Sequence, residues 1–370
     1  MPPTAGSIEP RARIVDLFAG PGGLDVGATW LGLPTTGIEL DEHACATRAA
    51  AGLDTVQGDV RDFGPSDFPD ARALAAGPPC QTFTVAGTGV GRRALEKVLA
   101  CAEELSRPPL GRRTPTAFDD ERTGLVLEPL RWALLAIDSG NPFDAIILEQ
   151  VPAVLPVWEA YGRILKHNGY SVAVGILRTE EYGVPQTRRR AILIARRGGA
   201  PVRLPVPTHE AFRRGDRRQA ALGLEPWVPM SRVVKRPTRF TVVSNYGSGG
   251  DPRKRGQRTC DEPSATITGK VTRNRLFLAD GTWDRLTLHE AGALQTFPPD
   301  YPWSGNDIGQ QIGNAIPPRL AVHVLAAVLD LKLDTEHLDR IVGMPWSQSR
   351  TATEPPLEGV SRAFAAAIPD

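Results

Sequence analysis

The residues best suited to chemistry are a lone thiol, a carboxylate at the end of an apolar run, and a row of arginines. Cys80 stands in "GPPCQTFTVAG", Gly77 to Gly87. Pro78 and Pro79 restrict the backbone ahead of it and preset the direction of its sulfur, while Gly87, Gly89 and Gly91 leave the next segment free to move. One reading is a fixed nucleophile followed by a lid; the other is a small buried hydrophobe, the commoner fate of an isolated cysteine and the one assigned to Cys45, Cys101 and Cys260. Glu149 ends "AIILEQ", where partial loss of water raises a carboxyl pKa and lets it share or donate a proton near neutrality. Its alternative is a salt-bridged structural acid. "PQTRRRAILIA" sets Gln186, Arg188 and Arg190 at alternate positions, hence on one face of an extended segment, where they suit a polar acceptor or a phosphate. Taken singly they are surface charges.

A second constellation suits a nucleotide-like ligand. In "DLFAGPGGLDVG" a glycine loop joins a β-rich run to a helical one, so that a ligand can approach the backbone near a helix amino end. A dinucleotide fingerprint needs a third glycine where Asp25 stands, and the Gly-Lys-Ser/Thr ending of a P-loop is missing. Glu39 lies 19 residues after Gly20, at the end of the next strand, where an acid can take both hydroxyls of a ribose. Asp59 ends a third strand and can accept from an adenine amino group. A ribose and an adenine without a phosphate cradle point to an adenosine that carries something other than phosphate.

These groups need a frame. Strand signals at "RIVDL", "TTGIEL", "DTVQGDV", "FDAIILEQV" and "RRAILIARR" alternate with helical ones at "GLDVGATWLGL", "DEHACATRAAAG" and "EPLRWALLAID". "YGRILKHNGYSVAVGIL" reads as helix, turn and strand. The pattern predicts an α/β domain with a mostly parallel sheet and flanking helices, its ligands beyond the strand carboxyl ends. Beyond Arg197 the texture turns to proline, glycine and arginine with short β pieces such as "RFTVVSNYG", which predicts a smaller β or irregular domain. Helical periodicity returns at "TLHEAGALQTF" and at "PPRLAVHVLAAVLDLKL", with Pro317 and Pro318 at the start. The expected division is 1–197 with 285–333, then 198–284, then a tail over 334–370 whose role the sequence does not reveal.

Composition narrows the class. The chain has 370 residues, 41% hydrophobic and 23% charged, as in an ordinary globular protein. Four cysteines without a C-x-x-C pair argue against structural zinc, and no metal site is expected. With no signal-like start and no apolar run of about 18 residues, a reducing cytoplasmic setting and no membrane are expected. The net charge of +1 is uneven: Gly198 to Arg258 holds 13 Lys or Arg against four acids, a local +9 that leaves −8 elsewhere. Such a segment fits a polyanion such as nucleic acid, or a solvated basic face.

The ordered blocks "DLFAGPGG", "GPPCQ", "LEQV", "PQTRRR" and "QIGNAIPP" resemble the motif series of the cytosine carbon-5 DNA methyltransferases, from about Ile14 to Leu325. The resemblance implies a Rossmann-like methyltransferase fold with a target-recognition domain over 198–284. It implies S-adenosylmethionine as cofactor, held by Phe18, Gly20, Gly22, Gly23, Glu39, Leu40, Asp59, Val60, Pro79, Asn314 and Ala315. Cys80 would be the nucleophile toward a flipped-out cytosine, with Glu149, Arg188 and Arg190 holding the base. Double-stranded DNA would be the substrate, contacted by Gln81, Gln186, Arg239, Asn245 and Arg253, with a cognate restriction endonuclease as a possible partner and a monomer as the expected state.

Three departures from the family pattern stand out. Gln150 replaces the usual Asn after Glu149, Thr84 replaces a Ser, and an insertion runs from Glu96 to Thr116, with Arg107, Arg112 and Arg113 as added DNA contacts or as part of a surface excursion. The rivals are a tRNA cytosine-5 methyltransferase, whose usual Cys-Phe-Thr stretch is missing from Gly198 to Arg258, and a silent DNA-binding scaffold, which would be expected to lose Cys80 or Glu149. A nicotinamide oxidoreductase is disfavoured by Asp25.

Overall fold

The computed structural model describes residues 13–79, 89–107, 118, 121–198, 201–215, 223–244 and 256–352. Seven strands form the main sheet: β1 (Arg13–Leu17), β2 (Thr35–Glu39), β3 (Thr55–Gln57), β4 (Ala71–Ala76), β5 (Ala145–Gln150), β6 (Tyr170–Arg178) and β7 (Arg189–Arg197). Their order is β3-β2-β1-β4-β5-β7-β6. All neighbours are parallel except β7, which runs antiparallel between β5 and β6. The helices that go with them are α1 (Gly23–Trp30), α2 (Glu42–Ala51), α3 (Gly89–Leu105), α4 (Glu121–Gly124), α5 (Glu128–Asp138) and α6 (Leu155–His167).

Strand β5 is buried at every position, which is why it reads as an unbroken apolar run rather than an alternating one. Its pleat sends Ile146 and Leu148 into a core with Trp132, Trp158 and Tyr161 of α5 and α6. Ile147 points the other way, into a core with Leu24 and Ala28 of α1.

A second sheet is antiparallel, in the order β11-β10-β8-β9, from β8 (Phe240–Val243), β9 (Gln257–Thr259), β10 (Arg275–Leu278) and β11 (Trp283–Arg285). Its inner face, Phe240, Val242 and Leu276, packs on Leu286, on Ala291 and Leu294 of α7 (Leu288–Leu294), and on Ile312 of α8 (Ile308–Asn314). The core beneath this sheet therefore draws residues from both sides of position 284.

Helix α9 (Pro318–Leu329) begins at the paired prolines and lies along α1 in the second core. Together α8 and α9 span Ile308–Leu329, the one helical stretch among the described residues long and apolar enough to cross a bilayer, and 89% of its apolar window is buried in the body. The segment after Asp334 folds into α10 (Thr335–Val342), capped by the Asp334 side chain, and α11 (Trp346–Ser349). Leu338, Ile341 and Trp346 pack there on Trp30, Ala51 and Tyr301.

Candidate active site

The glycine loop follows directly from the end of β1. Phe18 and Gly20 adopt positive φ, 61° and 54°, and Gly22 has φ 97° as the amino-terminal cap of α1. Phe18 is not a glycine, so its left-handed backbone stores strain of the sort that collects at functional sites. A side chain at Gly22 would meet Leu53 and the Tyr301 hydroxyl, and one at Gly23 would run into the Ile316 carbonyl. These two glycines let α1 sit tight against its neighbours. Gly20 differs, because a Cβ there would meet nothing within 4 Å and the loop faces open space.

Glu39 closes one wall of that space. Its Oε2 accepts from Gly20 N at 2.7 Å, and its Oε1 accepts from Leu40 N at 2.9 Å and Asp41 N at 2.8 Å. Leu40, 63% exposed, offers an apolar surface beside it. Asp59 caps a short helical turn and is gripped by Arg61, with Nη2 at 2.6 Å. The hydrogen bonds from Arg61 hold the Asp59 carboxyl below its usual range. The Val60 side chain is buried, and its carbonyl accepts from Arg131 and from Trp132 at 3.1 and 3.3 Å. Asn314, exposed at the end of α8, accepts from Gln310 at 2.7 Å. Open space at a strained glycine turn, a carboxylate at the strand end and an exposed leucine fit an adenosine-type cofactor without phosphates. Asp16, missed in the sequence, is buried on β1; burial first, then Asp25, pushes its carboxyl well up toward the neutral form. A lone acid inside "RIVDLF" was the available signal.

On the other side of the sheet centre, Glu149 of β5 and Arg190 of β7 form an ion pair, Nε to Oε1 2.5 Å, with side chains only 11% and 12% exposed. The second Glu149 oxygen lies 3.7 Å from where a Cβ on Gly77 would be. The carboxylate is thus set against the chain that leads through Pro78 and Pro79 to position 80. Gln150 ties this together: its amide NH2 donates to the Pro78 carbonyl, and its amide oxygen accepts from Val151 N at 2.5 Å. Cys80 and Gln81, like Thr84, Asn245 and Arg253, lie outside the described residues. Cys45, Cys101 and Cys260 are buried thiols, as their sequence settings suggest.

The row of Gln186, Arg188 and Arg190 is held by different partners: β7 starts at Arg189, and Gln186 bridges to Ser264. Gln186 is fully buried, accepting from Ile267 N at 2.7 Å and donating to Gln295 at 3.1 Å, so its amide is used inside the fold to brace the chain around Ile267. Arg188, also buried, donates to the carbonyls of Ile267, Gly313 and Ala315 at 3.1, 2.9 and 3.1 Å, and lies within electrostatic reach of Glu149 and Arg190. Burial pushes its guanidinium well below the ordinary value, and Arg190 adds to the effect. Arg239 is exposed and paired with Asp261, a partner that competes with any phosphate.

The family described as C-5 cytosine-specific DNA methylase matches residues 12–100 and 116–225, the stretch that carries the glycine loop, Glu149 and Arg190. This chain belongs to that family. It is a DNA cytosine-5 methyltransferase. The type II methyltransferase M1.HphI of Haemophilus parahaemolyticus is 27% identical over 361 residues, 86% of each chain. The type II methyltransferase M.BbvI of Brevibacillus brevis is 28% identical over 370 residues, covering 86% of this chain and 91% of its own. The S. pombe Dnmt2 methyltransferase superposes with a TM-score of 0.59 at 16% identity over 87% of this chain and 99% of that one, a likeness of fold alone.

The methyltransferase's second sheet carries a cluster of aromatic and basic side chains on its outer face. On its outer face Arg275 pairs across strands with Arg285 and Phe277 with Trp283. Trp283 is 51% exposed, with the guanidinium carbons of Arg275 and Arg285 at 4.3 and 5.7 Å from its ring centre. Stacking restrains two long side chains that would otherwise lose rotamer freedom on binding an anion. The signal was there in "RLFLADGTWDR", where Arg-x-Phe and Trp-x-Arg flank an Asp-Gly turn.

Proposed function

We propose that this methyltransferase modifies carbon 5 of a flipped-out cytosine in a short sequence of duplex DNA, through a covalent adduct with Cys80. The observation that carries the reading is the Glu149–Arg190 pair, converging on the Gly77–Pro79 approach to Cys80 at the end of the sheet that also bears the Glu39 and Gly20 loop. S-adenosylmethionine, when bound, supplies an electrophilic methyl group. Glu39, the loop from Phe18 to Gly23, Leu40, Asp59, Val60, Pro79, Asn314 and Ala315 would hold it.

Carbon 5 of cytosine is a poor nucleophile. Addition of the Cys80 thiolate to carbon 6 moves electron density onto carbon 5, splitting one hard step into two easier ones. Glu149 stabilises the resulting charge by sharing a proton with ring nitrogen 3, and Arg190, already oriented by Glu149, binds the ring carbonyl oxygen. After carbon 5 is methylated, loss of its proton restores the double bond and expels Cys80. A base stacked in a duplex cannot reach these groups, so it must leave the helix.

The outer face bearing Arg275, Trp283 and Arg285, with Asn245 and Arg253, meets the duplex. The named relatives are type II methyltransferases, and we place this chain in the same role, as a monomer in the cytoplasm beside a cognate endonuclease. Cys80→Ser tests the mechanism: methyl transfer is expected to vanish while cofactor binding stays within about twofold, and activity near the wild-type level would remove Cys80 as nucleophile.

A further inference from the structure

The glycine loop is held from two sides. Above, Gly20 N is fixed by Glu39. Below, the Tyr301 hydroxyl donates to the Pro21 carbonyl at 2.5 Å and sits 3.1 Å from where a side chain on Gly22 would begin. Tyr301 is fully buried, and burial pushes its phenol pKa upward, so it remains a donor throughout the working pH range. Its ring is wedged between Phe297 and Trp303, both with centres 4.9 Å away, and meets Trp346 edge-on at 5.8 Å.

Trp346 comes from α11, near the carboxyl end of the described chain. It is anchored twice: its backbone N donates to Asp300 Oδ1 at 2.5 Å, next to Tyr301, and its indole N–H donates to the Ala51 carbonyl at 2.9 Å. Ala51 ends α2, the helix that follows Glu39 and carries Arg48. The C-terminal helices therefore join the Tyr301 segment to the element behind the Glu39 wall.

We propose that Tyr301 is a positioning residue for the cofactor loop and that residues 334–352, through Trp346, keep it in place. Among the described residues the Pro21 carbonyl accepts from Tyr301 alone, and the loop it belongs to holds positive φ at Phe18, Gly20 and Gly22, a conformation that depends on its surroundings. The proposal rests on the reading that this loop binds S-adenosylmethionine.

The test is Tyr301→Phe, which keeps the buried ring and removes only the donor, with Trp346→Phe as the second variant. Calorimetric binding of S-adenosylhomocysteine is expected to weaken roughly 2–10-fold in Tyr301→Phe, the effect of one lost hydrogen bond, with a smaller loss in Trp346→Phe. The KM for S-adenosylmethionine is expected to rise in step while kcat and DNA affinity hold. Independently of any ligand, amide exchange in the peptide covering 18–24 is expected to speed up while β5 stays protected. Unchanged loop exchange with unchanged affinity in both variants would overturn the proposal, as would acceleration spread over the whole fold. A wild-type protein that binds no S-adenosyl compound would instead break the cofactor reading, and loop exchange would still decide the role of Tyr301.

Discussion

Two buried arginines, Arg48 under the glycine loop and Arg188 beside the chain at Ile267, have their charges balanced in opposite ways. Arg48 meets the Asp25 carboxylate with two parallel hydrogen bonds, 2.8 and 2.9 Å, and reaches Thr55 and the Asp54 carbonyl as well. Arg188 is hydrogen-bonded to three backbone carbonyls and to no carboxylate among the described residues. The consequence shows in their ionisation: Asp25 raises the pKa of Arg48 despite burial, whereas burial lowers that of Arg188. Arg48 closes a self-contained ion pair inside one packing unit. Arg188 spreads its charge over three carbonyl dipoles from two segments, so it acts as a seam between the edge of the main sheet, the chain at Ile267 and the turn at Gly313–Ala315.

The difference can be broken by substitution. Arg48→Met is expected to have the largest effect, about 3–5 kcal/mol in chemical denaturation, because it strands the Asp25 charge in the interior. The double variant Arg48→Met with Asp25→Leu is expected to recover most of that loss, since both charges are gone. Arg188→Met is expected to cost on the order of 2–3 kcal/mol, with orphaned carbonyls that no second side-chain change can remove, and to weaken discrimination between cognate and unrelated DNA. Full recovery of stability by a partner substitution at Arg188 would erase the contrast.

A smaller effect is expected at Gln150. Gln150→Asn shortens the arm that reaches the Pro78 carbonyl, and kcat should fall roughly 2–10-fold with cofactor affinity unchanged, as measured by single-turnover methylation and calorimetry.

Arg319 sharpens the comparison further, because it has both kinds of partner: the Tyr182 carbonyl and Asp339, each at 2.5 Å. Burial, reinforced by Arg319, lowers His209 to about 4 and His323 to about 3, while burial raises nearby Glu180 to about 7. Below about pH 6.5 the unfolded chain takes up protons that the two folded imidazoles refuse, so stability falls as pH drops through that point toward 3. Glu180 opposes this between about pH 4.5 and 7, where the folded state holds the extra proton. The thermal midpoint is expected to decline on acidification, and to decline more steeply between about pH 6.5 and 4.5 in Glu180→Gln.

Much of this was legible in the sequence, for identifiable reasons. The β1 strand, glycine turn and α1 could be read because apolar period and glycine position agree, and Glu149 because a polar residue ends an unbroken apolar strand. The partners of Gln186 and Arg188 could not be read because alternation shows only local spacing, and the strand begins at Arg189. Long-range partners such as Ile267 and Gly313 leave no local trace. The C-terminal helices looked like a tail because α10 and α11 carry few apolar residues, although the Asp334 cap and the Leu338 and Ile341 spacing were present. Gln150 stood out as a departure beside Glu149, but its partner left no local trace because it is a carbonyl 72 residues away.

The central claim is methyl transfer to carbon 5 of cytosine in DNA. Its most direct test is incubation of the purified protein with mixed-sequence duplex DNA and methyl-labelled S-adenosylmethionine, followed by sequencing for 5-methylcytosine. The account predicts 5-methylcytosine confined to one short sequence context; label in tRNA alone, or in neither nucleic acid, would contradict it.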